Sequence, residues 1–318
     1  MNKLYRILLG LLSLCAIVCS LAIGKYHIVP SRLLDKSSLD FRVFINLRVG
    51  RTGCVALSGL ALGMAGYVFQ TLFRNPLASP DTASVASGAS VGAACGIILF
   101  GGGTTVMAFA GGILAVGLVI LLDGAVGRGQ NASLVICGIC VNALLQAALT
   151  PIKISADSEN LLASFEFWLM GSFSDATIKV FFNMLPWAAA GIIGLCLMSR
   201  RINLLAFSDD EAHMLGLRVK TARGIALALA TLCVSAVVAQ AGLVAFVGLL
   251  APHIAYRLRD DRSCMMLRSG LVGMLLLLAA DMLARSVAKT EIPISVFTSF
   301  MGVPVLFVLI LRRKHNES

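Results

Sequence analysis

The sequence predicts an all-α, polytopic membrane protein of about ten transmembrane helices with both termini cytoplasmic. Three observations carry this. Mean hydropathy is +0.91, charged residues make up only 13% of 318, and apolar runs of about one bilayer thickness succeed each other along the chain. A water-soluble protein of this length needs roughly a quarter of its residues charged to cover its surface. Most of the nine cysteines (Cys15, Cys19, Cys95, Cys137, Cys140, Cys196 and Cys233 among them) sit inside apolar runs, where they read as small hydrophobes rather than as a disulfide framework. A net charge of +10 would suggest nucleic acid as the partner of a soluble chain. Here the basic residues lie between apolar runs, so topology accounts for them, and the expected surroundings are a lipid bilayer with no nucleic acid.

A helix needs about 20 apolar residues to cross the hydrocarbon core. The runs that qualify are 7–24, 52–72, 82–100, 104–122, 132–150, 180–198, 224–241, 242–256, 269–285 and 293–311. The stretch Gly224–Tyr256 has no Asp, Glu, Lys or Arg in 33 residues, too long for one ordinary span and tight for two. Charge decides for two. With a break at Gln240-Ala241-Gly242, 16 of the 26 Lys and Arg residues fall on the N-terminal side, whereas a single crossing would put both Arg257–Arg268 and Arg312-Arg313-Lys314 outside. The first run comes after Lys3 and Arg6 as in a signal peptide. No convincing small-x-small cleavage site succeeds it, so it reads as a span. Gly88, Gly92 and Gly96 recur every four residues and form a face for close helix packing. The whole of 1–318 reads as one transmembrane unit carrying a cytoplasmic loop at 200–223.

No catalytic constellation emerges. His27, His213, His253 and His315 share no metal-ligand spacing, and Gly216-Leu217-Arg218-Val219-Lys220-Thr221 lacks the glycine spacing of a phosphate cradle. No catalytic residue, metal or cofactor is therefore expected on this chain. Nor is an ion relay visible. Asp281 stands well inside a span, but Arg285 comes four residues later on the same helical face and reads as its ion-pair partner. The loop 200–223 is more informative. Ser208-Asp209-Asp210-Glu211 has the form of a capping box, and Gly216 stands where a helix stop is needed, which predicts a short surface helix over Asp209–Leu215. By itself that helix is either a solvated loop or a docking element.

These motifs, taken in order, resemble the ten-span permease subunits of bacterial ABC importers for iron–siderophores, haem and cobalamin (the FecCD type, or type II importers). The resemblance runs from about Leu47 to Leu311. It rests on Gln70 through Arg74-Asn75-Pro76-Leu77-Ala78-Ser79-Pro80, Ser87-Gly88-Ala89-Ser90, Trp168-Leu169-Met170-Gly171-Ser172 and Asn203-Leu204-Leu205-Ala206 through Leu215-Gly216. It continues with Phe246-Val247-Gly248-Leu249-Leu250-Ala251-Pro252-His253, Ala280-Asp281-Met282-Leu283-Ala284-Arg285 and Glu291-Ile292-Pro293 through Gly302-Val303-Pro304.

The resemblance implies a central pathway between two permeases, identical or paralogous. Two ATPase subunits bind on the cytoplasmic side and a substrate-binding protein docks outside. It places Ser208, Asp209, Asp210, Glu211, Ala212, His213, Leu215 and Gly216 in the region that couples to the ATPase. It places Asn131, Ala132 and Ser133 at the inner gate, with Asn142 and Gln146 further along the same lining helix. Asn142 and Gln146 suit interhelical hydrogen bonds equally well. Arg48, Arg51 and Arg285 align with arginines that meet the binding protein, where they would steer its approach; interfacial snorkelling is the alternative. The family usually has Arg-Leu-Pro-Arg, and this chain has Arg48-Val49-Gly50-Arg51, which removes proline's restraint on the backbone there. The implied cargo is a ferric siderophore, with haem and cobalamin as alternatives, and the implied location is the bacterial cytoplasmic membrane.

Overall fold

The computed structural model of the chain describes residues 2–24, 26, 28–80, 84–126, 131–156, 159–258, 264–287 and 291–316, and every regular element among them is helical. α1 (Asn2–Ala22) leads into a 3₁₀ turn (Pro30–Leu34) and α2 (Leu39–Val43). α2 runs through a π-helical stretch, Phe44–Val49, into α3 (Gly50–Leu72), so that 34 residues form one apolar rod. Then come α4 (Val85–Ala94) with a second π-helical stretch (Cys95–Leu99), α5 (Thr104–Val126), α6 (Asn131–Ile154), α7 (Glu159–Leu169) and α8 (Ile178–Leu204). The last elements are α9 (Asp209–Met214), α10 (Val219–Ala241), α11 (Val247–Leu258), α12 (Met265–Ser286) and α13 (Ile294–Asn316).

The core is built round α3, where Val55, Ala61, Met64, Ala65, Val68 and Phe69 are fully buried among α8, α10, α11 and α12. Close approach explains its glycines. A Cβ on Gly63 would lie 2.2 Å from the Ser269 carbonyl oxygen of α12, and one on Gly66 would lie 1.8 Å from that of Gly248 in α11. Backbones meet this closely only where side chains are missing, which suits a bilayer, where packing rather than water exclusion drives helix association. The face Gly88, Gly92, Gly96 does the same for α4 against α5: a Cβ on Gly92 would stand 2.0 Å from the Met107 carbonyl oxygen.

Six helices are long and apolar enough to span a membrane, and three shorter apolar helices accompany them among the described residues. The break in the uncharged stretch falls where charge placed it: α10 ends at Ala241, and Gly242 leaves the helix with φ +69°. The second half of that stretch becomes helical later than the expected 242: α11 begins at Val247 and runs to Leu258, where the described residues stop. The chain between α10 and α11 turns through Phe246 at φ +64°. Two further differences concern extent. The rod ending at Leu72 begins at Leu39, although Asp40, Arg42, Arg48 and Arg51 interrupt its apolar run, and α7 lies between two expected spans.

Candidate functional site

Residues 200–223 fold as a helix stop, a surface helix and a helix start. Ser208 caps α9: its hydroxyl accepts from the Glu211 N–H (3.3 Å), and the Ser208 N–H donates to Glu211 Oε2 (2.9 Å), completing the box. Hydrogen bonds from Ser208 hold the Glu211 carboxyl below its ordinary range, with a smaller contribution from Arg74. The far end closes just as fully. Gly216 takes φ +80°, its N–H donates to the His213 carbonyl (2.9 Å), and the Leu217 N–H reaches back to Ala212 (3.0 Å). This is a Schellman ending with glycine at the left-handed position. The expected helix exists, one residue shorter than predicted because Leu215 is its C-cap.

The eight expected coupling residues divide into two groups. Ala212 is fully buried and Asp209 turns towards the bundle, while Ser208, Asp210, Glu211, His213, Leu215 and Gly216 are exposed or half-buried. Asp209 Oδ1 accepts from Arg74 Nη2 (2.6 Å) and from Arg223 Nη2 (2.9 Å), at the ends of α3 and α10 respectively. Arg74 also donates to the Phe207 carbonyl. Met214 is 86% exposed and Leu215 59%, and Phe207 is exposed too, so this otherwise charged loop displays apolar side chains; Leu77, in the segment after α3, is also exposed. Met214, Phe207 and Leu77 escape a reading of the sequence, because hydrophobicity in a membrane protein does not by itself mark a contact.

At the opposite end of α3 the three arginines expected to meet the binding protein are bonded within the chain. Arg51, 11% exposed, donates through Nε to Asp281 (2.9 Å) and through Nη1 to both oxygens of Glu291 (2.8 and 2.9 Å). Arg285, 7% exposed, lies 3.3 Å from Asp281 and donates to the Ser20 carbonyl (2.8 Å) and hydroxyl (2.7 Å). Asp281 is wholly buried. The ion pair read from the i, i+4 spacing is therefore present and enlarged by Arg51 and Glu291. Arg48 donates to the carbonyls of Leu21 (2.9 Å), Ala22 (2.8 Å) and Tyr26, closing the end of α1. Of the three arginines expected to meet the binding protein, Arg51 and Arg285 are buried and paired within the chain, because Asp281 would otherwise be an uncompensated charge. Arg32 and Lys36 are exposed in the segment before α2. The missing proline does not loosen the backbone. Gly50 is helical, and a Cβ on it would lie 2.2 Å from the Ile178 nitrogen, so glycine here serves close packing on α8.

Of the gate residues, Asn131 and Ala132 begin α6, and their side chains lie outside the described residues. Ser133 is buried, and its hydroxyl has no hydrogen-bond partner among the described residues. Asn142 accepts from the Ser87 hydroxyl of α4, and Gln146 Nε2 donates to the same hydroxyl (3.4 Å). Both are thus engaged in the interhelical bonding that their residue types equally allowed.

Comparison with known proteins bears on this arrangement. The Hemin transport system permease protein HmuU of Yersinia pestis is 32% identical over 98% of this chain and 98% of its own length. The Molybdate import system permease protein MolB of Haemophilus influenzae is 32% identical over 98% of this chain and 97% of its own. A solved structure of a putative metal-chelate type ABC transporter in an inward-facing conformation superposes with a TM-score of 0.88 at 29% identity, covering 98% of this chain and 100% of that one. This chain is accordingly a multi-pass ABC transporter permease and not an enzyme, ATP hydrolysis being the work of a separate subunit. The model of the FecCD transport family matches residues 11–312, and the chain belongs to that family.

Proposed function

We propose that this chain is the membrane-spanning subunit of an importer in the bacterial cytoplasmic membrane that passes a ferric siderophore inward. A binding protein delivers the siderophore, and two ATPase subunits, which hold the ATP and Mg²⁺, drive the cycle. The observation that carries this reading is α9. Six residues do not hold a helix in water unaided, yet this one is capped at both ends and displays Met214 and Leu215 beside charged residues. Such a surface suits a protein partner. Closure of the ATPases beneath α9 would rock two permeases against each other and open the pathway alternately to each side. The exposed face Val296, Phe300, Val303 and Phe307 of α13 has the 4-3-4 spacing of a helix seam, which supports a second copy or a paralogue as neighbour. On the outer side, Arg48 with the exposed Arg32 and Lys36 supplies charge for an acidic binding protein. In this reading Arg51 and Arg285 act from beneath, by fixing the elements that carry that surface.

A ferric siderophore is favoured because the Ferric enterobactin transport system permease protein FepD of Escherichia coli is 33% identical over 95% of this chain, and the inward-facing structural neighbour is a metal-chelate type transporter. Uptake of radiolabelled ferric siderophore into proteoliposomes holding the chain, its ATPase and its binding protein tests this. Transport that needs both partners and ATP, and that resists haem, cobalamin and molybdate as competitors, is the expected result. Hydrolysis stimulated only by a competitor would replace the cargo, and uptake driven by an ion gradient without ATP would overturn the reading.

A further inference from the structure

Asp209 stands among residues that the family resemblance places in the ATPase-coupling region, but its carboxylate turns towards the bundle. One oxygen, Oδ1, takes hydrogen bonds from two guanidinium groups on two different core helices, Arg74 after α3 and Arg223 in the first turns of α10. Arg223 is itself buried.

The backbone at Arg74 gives a second, independent indication. α3 ends with the Arg74 N–H donating to Thr71 (3.3 Å) and the Asn75 N–H to Gln70 (3.2 Å), while Arg74 has φ +46°. That is the same Schellman ending that closes α9, with arginine where Gly216 stands in the other. Glycine occupies the left-handed position without strain, and an L-residue does not. An arginine held there needs something its side chain supplies. It reaches Asp209 and the Phe207 carbonyl, which are the first residue of α9 and the residue before its cap.

Resting on the importer reading above, we propose that Asp209 is a positioning residue rather than an ATPase contact. It fastens the coupling helix to α3 and α10, so that a push on the exposed face of α9 moves those core helices instead of flexing a loop. α3 suits the receiving role. Its glycines lock it against α11 and α12, and Arg51 in its first turn is paired with Asp281 and Glu291 at the far side of the bundle. Two charge-assisted bonds to one acceptor are stronger and more directional than neutral ones.

The test uses the assembled importer carrying Asp209→Asn, Asp209→Glu, Arg74→Gln or Arg223→Gln. Two quantities are read: ATPase subunit retained by the purified permease, and substrate taken up per ATP hydrolysed. Asp209→Asn is expected to keep the ATPase subunit to within about twofold and to lose roughly tenfold in uptake per ATP, with Asp209→Glu restoring most of it. Arg74→Gln should add little to the defect of Asp209→Asn, since both remove the same link. Should Asp209→Asn fail to reach the membrane, Arg223→Gln, which leaves Asp209 its bond to Arg74, is expected to show a smaller loss of the same kind. Normal coupling in Asp209→Asn, or shedding of the ATPase subunit by that variant, would overturn the assignment while leaving the importer reading intact. ATP-independent uptake by the unsubstituted importer would overturn both.

Discussion

At the level of single residues, the two ends of α9 depend on Ser208, Glu211 and Gly216, and each makes its contribution locally. Loss of an N-cap costs a helix about 1 kcal/mol, and a Cβ forced into the left-handed region costs roughly 1–2 kcal/mol. A six-residue helix has no reserve against either, whereas the bundle loses no packing, since nothing lies within 4 Å of a Cβ built on Gly216. Glu211→Ala and Gly216→Ala are therefore expected to lower uptake per ATP severalfold while leaving the thermal midpoint of the purified permease within a few degrees of its starting value. Parallel uptake, hydrolysis and melting measurements check this, and unaltered coupling in both would remove α9 from the coupling route. The pH sense comes from the depressed Glu211 pKa. The cap's contribution is present above the glutamate's unfolded pKa and is lost only as pH falls through the lower folded value, so the cap is complete throughout the neutral range.

At the level of elements, what the sequence made legible and what it hid separate by the range of the interactions. Capping boxes, helix stops and small-residue faces are written within a few residues of each other. Hence Ser208 to Gly216 and the face Gly88, Gly92, Gly96 could be read directly, whereas the break at Gly242 took the charge balance of the whole chain. The extension of the α3 rod back to Leu39 could not. Its charged residues look like a loop until partners far along the chain, Asp281 and Glu291 for Arg51, are brought beside them. The same distance hid the fate of Arg285, whose bonds to Ser20 span 265 positions. The start of α11 was hidden for the opposite reason: its apolar run begins at Gly242, but the helix begins only at Val247, because glycine and a left-handed Phe246 interrupt the run. Close packing gives a sharp contrast to test. Gly66→Ala would force a Cβ to within 1.8 Å of a backbone oxygen, whereas Gly117 and Gly124 of α5 face open space. Gly66→Ala is expected to destabilise by several kcal/mol or to prevent folding, and Gly117→Ala to change stability by less than about 0.5 kcal/mol. Fluorescence-detected size exclusion after heating distinguishes them, and equal behaviour would mean that the α3–α11 contact is looser than described.

At the level of the whole molecule, α3 is a central rod with an ion pair at each end. Arg74 holds α9, and Arg51 holds α12 together with the segment that leads into α13. Arg51 and Asp281 are 230 positions apart in the chain, which has a consequence for how the protein is made. At 5–20 residues per second, α3 would leave the ribosome about 10–50 s before its neutralising carboxylate exists. A nascent chain would meanwhile hold an unpaired arginine at the edge of the bilayer, costing up to about 3 kcal/mol if drawn to mid-membrane. Biogenesis would then favour shallow seating of α3, or a temporary companion, until α12 arrives. A chain stopped at Leu258 is expected to be degraded severalfold faster than the full chain in a pulse–chase experiment. Replacing Arg51 by Leu in the shortened chain should slow that loss, and supplying residues 259–318 as a separate piece should do so too. If Arg51→Leu leaves the lifetime of the shortened chain unchanged, the late-arriving charge partner is not what quality control senses.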